Sequence, residues 1–246
     1  MQLPLTHIHA QYQASAIAVD SKPDLLSQID QWQFDMPRPT LVIVGGAGGI
    51  AAEDCQTLQQ LFIDCVAPWA EANGLAVIDG GTDAGIMRFI GLARETIKGT
   101  FPLIGVIAEG TVNLPERPGR NPYAADLEPH HSHFVFVPGA EWGDESPWIA
   151  QTATAIAQNH PSVTFVINGG NITWQDIQCS ITENRAVVTF AGSGRTADVL
   201  AEALQGNIQD ERAEHILQEG KGKIHAISMQ SSPSQLQTLL ESLFQF

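Results

Sequence analysis

Eight short apolar runs recur along the chain, separated by polar or glycine-rich segments. Most of these runs are continuously apolar, which is typical of parallel strands that are covered on both faces. They occupy residues 14–19, 40–45, 75–80, 103–108, 133–138, 163–169, 186–192 and 224–229. The pattern therefore predicts a sheet of at least eight strands.

Helical patterns lie between most of these runs. Apolar residues at helical spacing predict helices at 50–73, 84–98, 196–205 and 233–245. Ser146 followed by Pro147 predicts the cap and first position of another helix. The alternation predicts an α/β fold, a Rossmann-like doubly wound and mostly parallel sheet with helices on both faces. No change of composition suggests a linker, so we expect a single domain over 1–246, with an edge strand and a short helix within the first 38 residues.

One long connection, residues 109–132, interrupts the alternation with several prolines and no helical period. Connections of this length in a compact domain are usually functional or disordered. It follows the carboxyl end of the predicted strand 103–108, and open α/β sheets bind ligands at that end. Its cations Arg117 and Arg120 can either close over a phosphate or remain solvated.

The charge of the chain limits its partners. Lys plus Arg number 12 against 27 Asp plus Glu, and the net charge is −15. Such a surface repels nucleic acid and anionic membranes, so we expect neither as a partner. There is no uninterrupted apolar stretch of about 18 residues and no signal-peptide pattern. The three cysteines lie at no metal-ligand spacing, which favours reduced thiols in a cytoplasmic protein.

Four predicted strands end in glycine-rich turns: VGGAGG (44–49), DGGTDAG (79–85), NGGN (168–171) and AGSG (191–194). Glycine lets a ligand approach the backbone, and a helix that starts there offers free N–H groups to an anion. Arg195, just after the last turn, makes that turn the best predicted phosphate site. Glu53 and Asp54 oppose phosphate near the first turn. Such turns also occur as plain architecture in α/β proteins, so the pattern leaves both interpretations open.

Five segments together resemble one family: VIVGGAGG, VIDGGTDAGIMRFIG, LIGVIAEGTV, LEPHHSHFVFV and VVTFAGSGRTADVLAEAL. They are similar, over roughly residues 40–205, to the LSDAT domain of the SLOG superfamily, the nucleotide-sensing region of TRPM-type cation channels. LOG phosphoribohydrolases and DprA/SMF proteins are looser relatives. The resemblance implies a Rossmann-like fold that binds ADP-ribose or a nucleoside phosphate, in a free-standing prokaryotic-type sensor or enzyme.

Carried over by motif, the resemblance implies ligand-binding positions in three turns. These are Gly45, Gly46, Ala47, Gly80, Gly81, Thr82, Asp83, Gly85, Met87, Gly192, Ser193, Gly194, Arg195 and Asp198. Among them, Asp83 is expected to hold ribose hydroxyls or cap its own helix, and Arg195 to pair with phosphate.

The LOG relatives carry a motif, PGGxGTxxE, whose glutamate is implicated in cleaving an N-glycosidic bond. We place the corresponding segment at AGSGRTADVL, which has no glutamate in register. Hydrolysis then needs another carboxylate near the sugar. The candidate catalytic residues are Asp83, Glu141 and Asp198.

Two further groups admit several interpretations. The first is the histidine cluster His130, His131 and His133, in which His131 and His133 can bind a metal. Alternatively, one histidine bonds to backbone and another, such as His133, lines the pocket, and we favour this interpretation without metal. The second is Trp142, which can stack on a base or be a buried anchor.

The sequence therefore predicts a soluble protein that binds a small nucleotide ligand, as a sensor that requires no cofactor. Closure of the 109–132 connection over the ligand is expected to signal to an effector protein or within a homo-oligomer. The alternative is a nucleotide N-glycosidase. A third possibility is an assembly module that binds no nucleotide.

Overall fold

The computed structural model describes residues 2–9, 12–32, 34–46, 48–114 and 123–245. Its framework is a nine-stranded sheet. The strands are β1 (Gln2–His9), β2 (Tyr12–Ala18), β3 (Thr40–Gly45), β4 (Ala76–Asp79), β5 (Leu103–Ala108), β6 (His133–Val137), β7 (Ser162–Ile167), β8 (Ala186–Ala191) and β9 (Ile224–Ser228). Strands β1 and β2 are antiparallel, and every other neighbouring pair in the sheet is parallel.

Helices connect most of the strands. They are α1 (Lys22–Ile29), α2 (Ala52–Leu61), α3 (Ala67–Ala72), α4 (Gly85–Ile97), α5 (Ser146–Ala157), α6 (Asn171–Thr182), α7 (Arg195–Leu204), α8 (Glu211–Glu219) and α9 (Pro233–Phe244). A π-helical turn at Phe62–Val66 joins α2 to α3. No helix among the described residues has the length and apolar content that crossing a membrane requires.

Side chains of each central strand point alternately into two apolar layers, one on each face of the sheet. In β3, Val42 and Val44 pack with α1, α5, α6, α7 and α8. Leu41 and Ile43 pack on the opposite face with α2, α3, α4 and α9. Burial on both faces explains why the strands read as continuous apolar runs.

The observed elements confirm the predicted Rossmann-like, mostly parallel α/β fold. All eight predicted strands are present, and the edge strand and short helix expected within the first 38 residues correspond to β1 and α1. The predicted helix 50–73 is interrupted by the π-helical turn. The prediction that Ser146 caps α5 is wrong, because Ser146 is the first helical residue and Glu145 holds the cap position without a side-chain bond.

The strand order is β1-β2-β6-β5-β4-β3-β7-β8-β9. From β3 the chain winds outward through β4, β5 and β6, and it then returns to place β7 on the other side of β3. Gly45 at the end of β3 pairs with Ile167 at the end of β7. The direction of winding reverses between these two strands, and ligands of open α/β sheets bind at such a switch point, outside the carboxyl ends.

Candidate functional site

A cleft of about 490 Å³ opens at this switch point. The end of β3 and the turn after β4 line one part of the cleft, and the turn after β6 and the first turns of α6 line another. It is lined by Ile43, Val44, Gly45, Gly46, Gly48, Gly80, Thr82, Met87, Trp142, Glu145, Ile149, Gly170, Asn171, Ile172, Thr173, Asp176 and Arg195. Its volume falls in the usual range for small-molecule sites, about 300–1,000 Å³.

Arg195 extends from the end of β8 toward the turn after β3. Its Nη1 atom donates to the carbonyl of Gly48 at 3.2 Å. It also lies against Gly170, where an added Cβ would come 2.8 Å from Nη2 and would displace the end of the guanidinium. The side chain is exposed, and within the described part of the chain no carboxylate pairs with it. A planar cation whose charge is not neutralised by a described carboxylate therefore lies at one end of the cleft.

The start of α6 lies beside this guanidinium. Gly170 precedes the helix, and its N–H donates to Thr173 Oγ1 at 3.0 Å. The next N–H groups, of Asn171 and Ile172, have no carbonyl partner inside the helix, as at every helix start. Since these residues line the cleft, their N–H groups add a partial positive charge beside Arg195.

Two carboxyl groups, from Glu145 and Asp176, occupy the wall of the cleft. Asp176 is only 9% exposed. Burial raises its pKa to about 7; the nearby Ser146 hydroxyl offsets part of this effect and the charge of Glu145 adds to it. Neither Asp176 Oδ1 nor Ser146 Oγ has a partner within normal hydrogen-bond geometry among the described residues. Burial also raises the pKa of Glu145, whose Oε2 accepts from Gly143 N at 3.0 Å.

Of the predicted ligand-binding residues, those that line the cleft are Gly45, Gly46, Gly80, Thr82, Met87 and Arg195. Ala47 lies outside the described residues, as do Arg117 and Arg120. The remaining predicted positions are not among the lining residues: Gly81, Asp83, Gly85, His133, Gly192, Ser193, Gly194 and Asp198.

The three predicted catalytic acids lie outside the cleft. Asp83 forms an ion pair with Arg88, with 2.6 Å between Oδ1 and Nε. Asp198 accepts from Gly192 N at 2.6 Å and so closes its own turn. Glu141 is exposed and is not a lining residue.

The turn after β8 is hydrogen-bonded to the turns that border the cleft. Ser193 is buried, and its Oγ donates to Phe190 O at 2.6 Å and accepts from Asn168 N at 2.8 Å. Asn168 Nδ2 donates to Ser193 O at 2.7 Å and, more weakly, to Gly49 O at 3.4 Å. One amide thus joins the turns that follow β3, β7 and β8.

The predicted role of His133 at the pocket is not supported by its position. It begins β6, at the amino edge of the sheet, whereas the cleft lies at the carboxyl edge. Its ring packs against Trp32 and Phe34, with centroids 4.7 and 5.1 Å away. Burial lowers its pKa to about 4, and the charge of Arg94 acts in the same direction.

His131 is buried between two carboxylates. Its Nε2 lies 2.9 Å from Asp79 Oδ1 and its Nδ1 2.7 Å from Glu128 Oε2. Burial alone would lower the pKa of His131, but the two acids raise it to about 9. His130 Nδ1 contacts the other oxygen of Glu128 at 2.5 Å. Among the described residues, no group of three or more His, Cys, Asp or Glu is arranged to hold a metal ion.

This buried cluster attaches the 109–132 connection to the cleft. Asp79 Oδ1 accepts from Gly81 N at 2.7 Å, and Glu128 N donates to Gly81 O at 2.9 Å. Thr82 pairs with Leu127 in an isolated antiparallel bridge. The end of the connection is thereby held against the turn after β4, which lines the cleft through Gly80 and Thr82.

Asp176 is the residue that the sequence interpretation missed. Residues 168–176 read NGGNITWQD. This string has two glycines, a threonine and an acid at the spacing of PGGxGTxxE, with Asp176 at the place of the glutamate. This string fits the spacing of the motif better than AGSGRTADVL does, and the motif spacing after β7 is the signal that finds Asp176.

Comparison with known proteins agrees with this architecture. Transient receptor potential cation channel subfamily M member 2 of Rattus norvegicus is 27% identical over 206 residues, 70% of this chain and 14% of the channel. The Mus musculus protein of the same name is 26% identical over 223 residues, 76% of this chain and 15% of the channel. The chain thus spans about one-seventh of these relatives.

A solved structure, the X-ray structure of TM1055, a structural genomics target, has the same fold. Its TM-score is 0.52 at 17% identity, over 83% of this chain and 99% of that one. The sequence itself matches the family described as SLOG in TRPM, prokaryote, over residues 38–238. This match covers most of the chain, and the protein therefore belongs to the prokaryotic LSDAT family.

Proposed function

We propose that the cleft binds a nucleotide derivative such as ADP-ribose or a nucleoside phosphate. The observation that carries the proposal is the guanidinium of Arg195, which reaches from the end of β8 to the turn after β3 and stands beside the start of α6. Phosphate would bind there, and the ribose would lie toward Glu145 and Asp176.

The electrostatics support an anion at this position. The protein carries a net charge of −15, so its overall field opposes a phosphate. A free guanidinium and helix N–H groups provide the local attraction that such a ligand requires. Membership in the LSDAT family supports the same class of ligand, because the resemblance to the channel domain implies nucleotide sensing.

As a sensor in the cytoplasm, the protein would transmit ligand binding through the 109–132 connection. The described end of that connection is bonded to the turn after β4 through Gly81 and Thr82. A ligand that contacts Thr82 would therefore shift the connection as well. The receiver would be an effector protein or a second copy of the chain.

A thermal-shift panel of nucleotides tests the binding proposal. At 100 times the dissociation constant, a ligand stabilises its protein by about 2.7 kcal/mol, a readily measured shift. Arg195→Ala should abolish the shift, whereas Lys221→Ala, an exposed cation outside the cleft, should leave it unchanged. A panel without any shift, or a shift that survives Arg195→Ala, would refute the assignment.

A second candidate function, hydrolysis of an N-glycosidic bond, is favoured by Asp176. Its carboxyl group is buried, its pKa is about 7, and it lies little more than one turn from the phosphate site on the same helix. A carboxylic acid with such a pKa can exchange a proton near neutral pH. Water would form the new bond to the anomeric carbon, the C–N bond would break, and the leaving base would take up a proton.

Release of free base separates this candidate from binding alone. Nucleoside monophosphates and ADP-ribose would be incubated with the wild-type protein, with Asp176→Asn, and with Asp198→Asn as the matched control outside the cleft. Hydrolysis that Asp176→Asn abolishes and Asp198→Asn preserves supports the enzyme. Thermal shifts without base release support a sensor only.

A further inference from the structure

The turn after β4 is held by hydrogen bonds that lead to a buried histidine. Gly81 N donates to Asp79 Oδ1 at 2.7 Å, and the same oxygen lies 2.9 Å from His131 Nε2. The carbonyl of Gly81 accepts from Glu128 N at 2.9 Å, and the side chain of Glu128 contacts the other nitrogen of the imidazole. Both backbone groups of Gly81 are therefore bonded to residues that His131 contacts.

The same turn borders the cleft. Gly80 and Thr82, on either side of Gly81, are lining residues. Gly81 has a φ of 64°, a conformation that favours glycine. Ile86 N, in the first turn of α4, donates to Gly46 O at 3.3 Å and so joins this segment to the turn after β3. A shift of Gly81 would therefore move backbone that lines the cleft.

His131 supplies the positive charge that the cluster needs. Its side chain is fully buried between Asp79 and Glu128. Burial alone would lower its pKa, but the two acids raise it to about 9, so the ring is a cation at neutral pH. Asp79 Oδ2 has no hydrogen-bond partner among the described residues, and Oδ1 is shared by the imidazole and Gly81 N. Loss of the cation would leave two buried carboxylates that repel each other.

Other charged or titratable groups near the ring interact with Glu128, the partner of its Nδ1 atom. They are His130, Arg88 and Arg94. Phe134 of β6 stacks on the His131 ring, with 5.4 Å between centroids, and carries no charge. Asp79 forms its ion pair with His131. Loss of the proton from His131 would therefore act first on Asp79 and on the turn that Asp79 holds.

We propose that His131 is a positioning residue of the nucleotide site: its imidazolium fixes Asp79 and, through Asp79, the turn after β4 that lines the cleft. This inference rests on the proposed function, because its readout is the affinity for a nucleotide. His131 is not a lining residue, so it acts through Asp79 and Gly81 without touching the ligand. Nucleotide affinity should then follow the charge of a histidine that is buried outside the cleft.

The pH dependence of ADP-ribose binding tests the proposal in the wild-type protein. Calorimetric titration gives the Kd and the binding-competent fraction at each pH. Binding should be about tenfold weaker at pH 10 than at pH 8, because a group with a pKa of about 9 loses its proton across this range. The loss should follow the NMR titration of the His131 signal. Asp176, with its pKa of about 7, is already ionised at pH 8 and adds little to the change.

Variants test whether His131 is the source of this dependence. His131→Gln should weaken ADP-ribose binding about tenfold at pH 8 without changing the stoichiometry of the folded protein. Its combination with Asp79→Asn removes both charges of the pair and leaves an amide oxygen that can accept from Gly81 N. The double variant should recover most of the affinity and bind equally well at pH 8 and pH 10. His133→Gln, a change at the amino edge of the sheet, is the matched control and should not alter the Kd.

The outcomes separate this inference from the proposed function. A wild-type protein that binds no ADP-ribose would refute the proposed function and the positioning role with it. Equal affinity at pH 8 and pH 10, while the His131 signal titrates, would refute the positioning role alone. So would a His131→Gln variant that loses stability but keeps the wild-type Kd, because the cluster would then serve only the fold. If that variant does not fold, the wild-type pH profile decides, and a fall in affinity that persists in the double variant overturns the proposal.

Discussion

Asn168 donates two hydrogen bonds to Ser193 at the carboxyl edge of the sheet. Asn168 N donates to Ser193 Oγ at 2.8 Å, and Asn168 Nδ2 donates to Ser193 O at 2.7 Å. Both residues are buried, and Asn168 has a positive φ of 57°. The pair fixes the turn after β7 to the turn after β8, and Arg195 extends from the latter into the cleft. The position of the cation therefore depends on this pair.

Ser193→Ala should destabilise the protein by about 1–3 kcal/mol, because it leaves the buried N–H of Asn168 without an acceptor. Urea unfolding measures the change. Ser27→Ala removes a hydroxyl from an exposed site on α1 and should cost less than about 0.5 kcal/mol. Equal stability of the two variants would mean that the Asn168–Ser193 pair does not stabilise these turns.

The sheet could be predicted from sequence because burial on both faces makes its strands continuously apolar. Parallel geometry then placed the glycine turns at one edge, which brought Thr82 and Arg195 to a common cleft. The helix α6 was missed because polar residues occupy part of its buried face. Thr173, Asp176 and Ser180 are all buried there, so no clean apolar stripe marks the helix.

The role of His133 could not be derived from local pattern. A histidine next to a strand can lie at either edge of the sheet, and only the boundary of β6 shows that it lies at the amino end. The acids Asp83 and Asp198 lie outside the cleft for another reason. Each is close in sequence to a group it can satisfy, Arg88 or Gly192 N, and these local bonds take the carboxylates away from a ligand.

Gly91→Ala should destabilise the protein although alanine favours a helix interior by about 1 kcal/mol over glycine. A Cβ at Gly91 would lie 2.2–2.3 Å from the carboxyl atoms of Glu128. That carboxylate is held by His130 and His131 and cannot move freely. We expect a loss of about 1–3 kcal/mol in unfolding free energy. Gly80→Ala, where a Cβ meets open space, is the control and should be close to neutral.

Stability should fall with increasing pH in the alkaline range because of His131. Its folded-state pKa is about 9, above the ordinary value of 6.5. The folded protein therefore holds a proton that the unfolded chain releases, and this stabilisation is complete below pH 6.5 and is lost as pH rises through 9. The slope from this group is at most about 1.4 kcal/mol per pH unit.

NMR titration of the imidazole signals measures this directly. The signal of His131 should remain that of a protonated ring beyond pH 8, and His133, with its pKa of about 4, should be neutral at pH 6. An His131 signal that titrates near 6.5 would contradict the buried ion pairs with Asp79 and Glu128.

Asp176→Asn should stabilise the protein above neutral pH. The pKa of Asp176 is raised from 3.8 to about 7, so its ionisation costs stability as pH rises through this range. Removing the charge should raise the unfolding free energy at pH 8 by as much as about 4 kcal/mol, and the gain should vanish at pH 3. Asp198→Asn keeps a side-chain oxygen that can accept from Gly192 N, and it should show no such gain. A destabilised Asp176→Asn at pH 8 would contradict the conclusion that burial of this carboxylate costs stability.

The location of a bound nucleotide tests the central claim most directly. A crystal structure of the protein with ADP-ribose should show the phosphates within hydrogen-bond distance of Arg195 and of the backbone at Gly46 and Gly48, with the ribose near Asp176. Ligand density at any other place on the surface, or a cleft that remains empty at saturating ADP-ribose in crystals that leave it open to solvent, would contradict it.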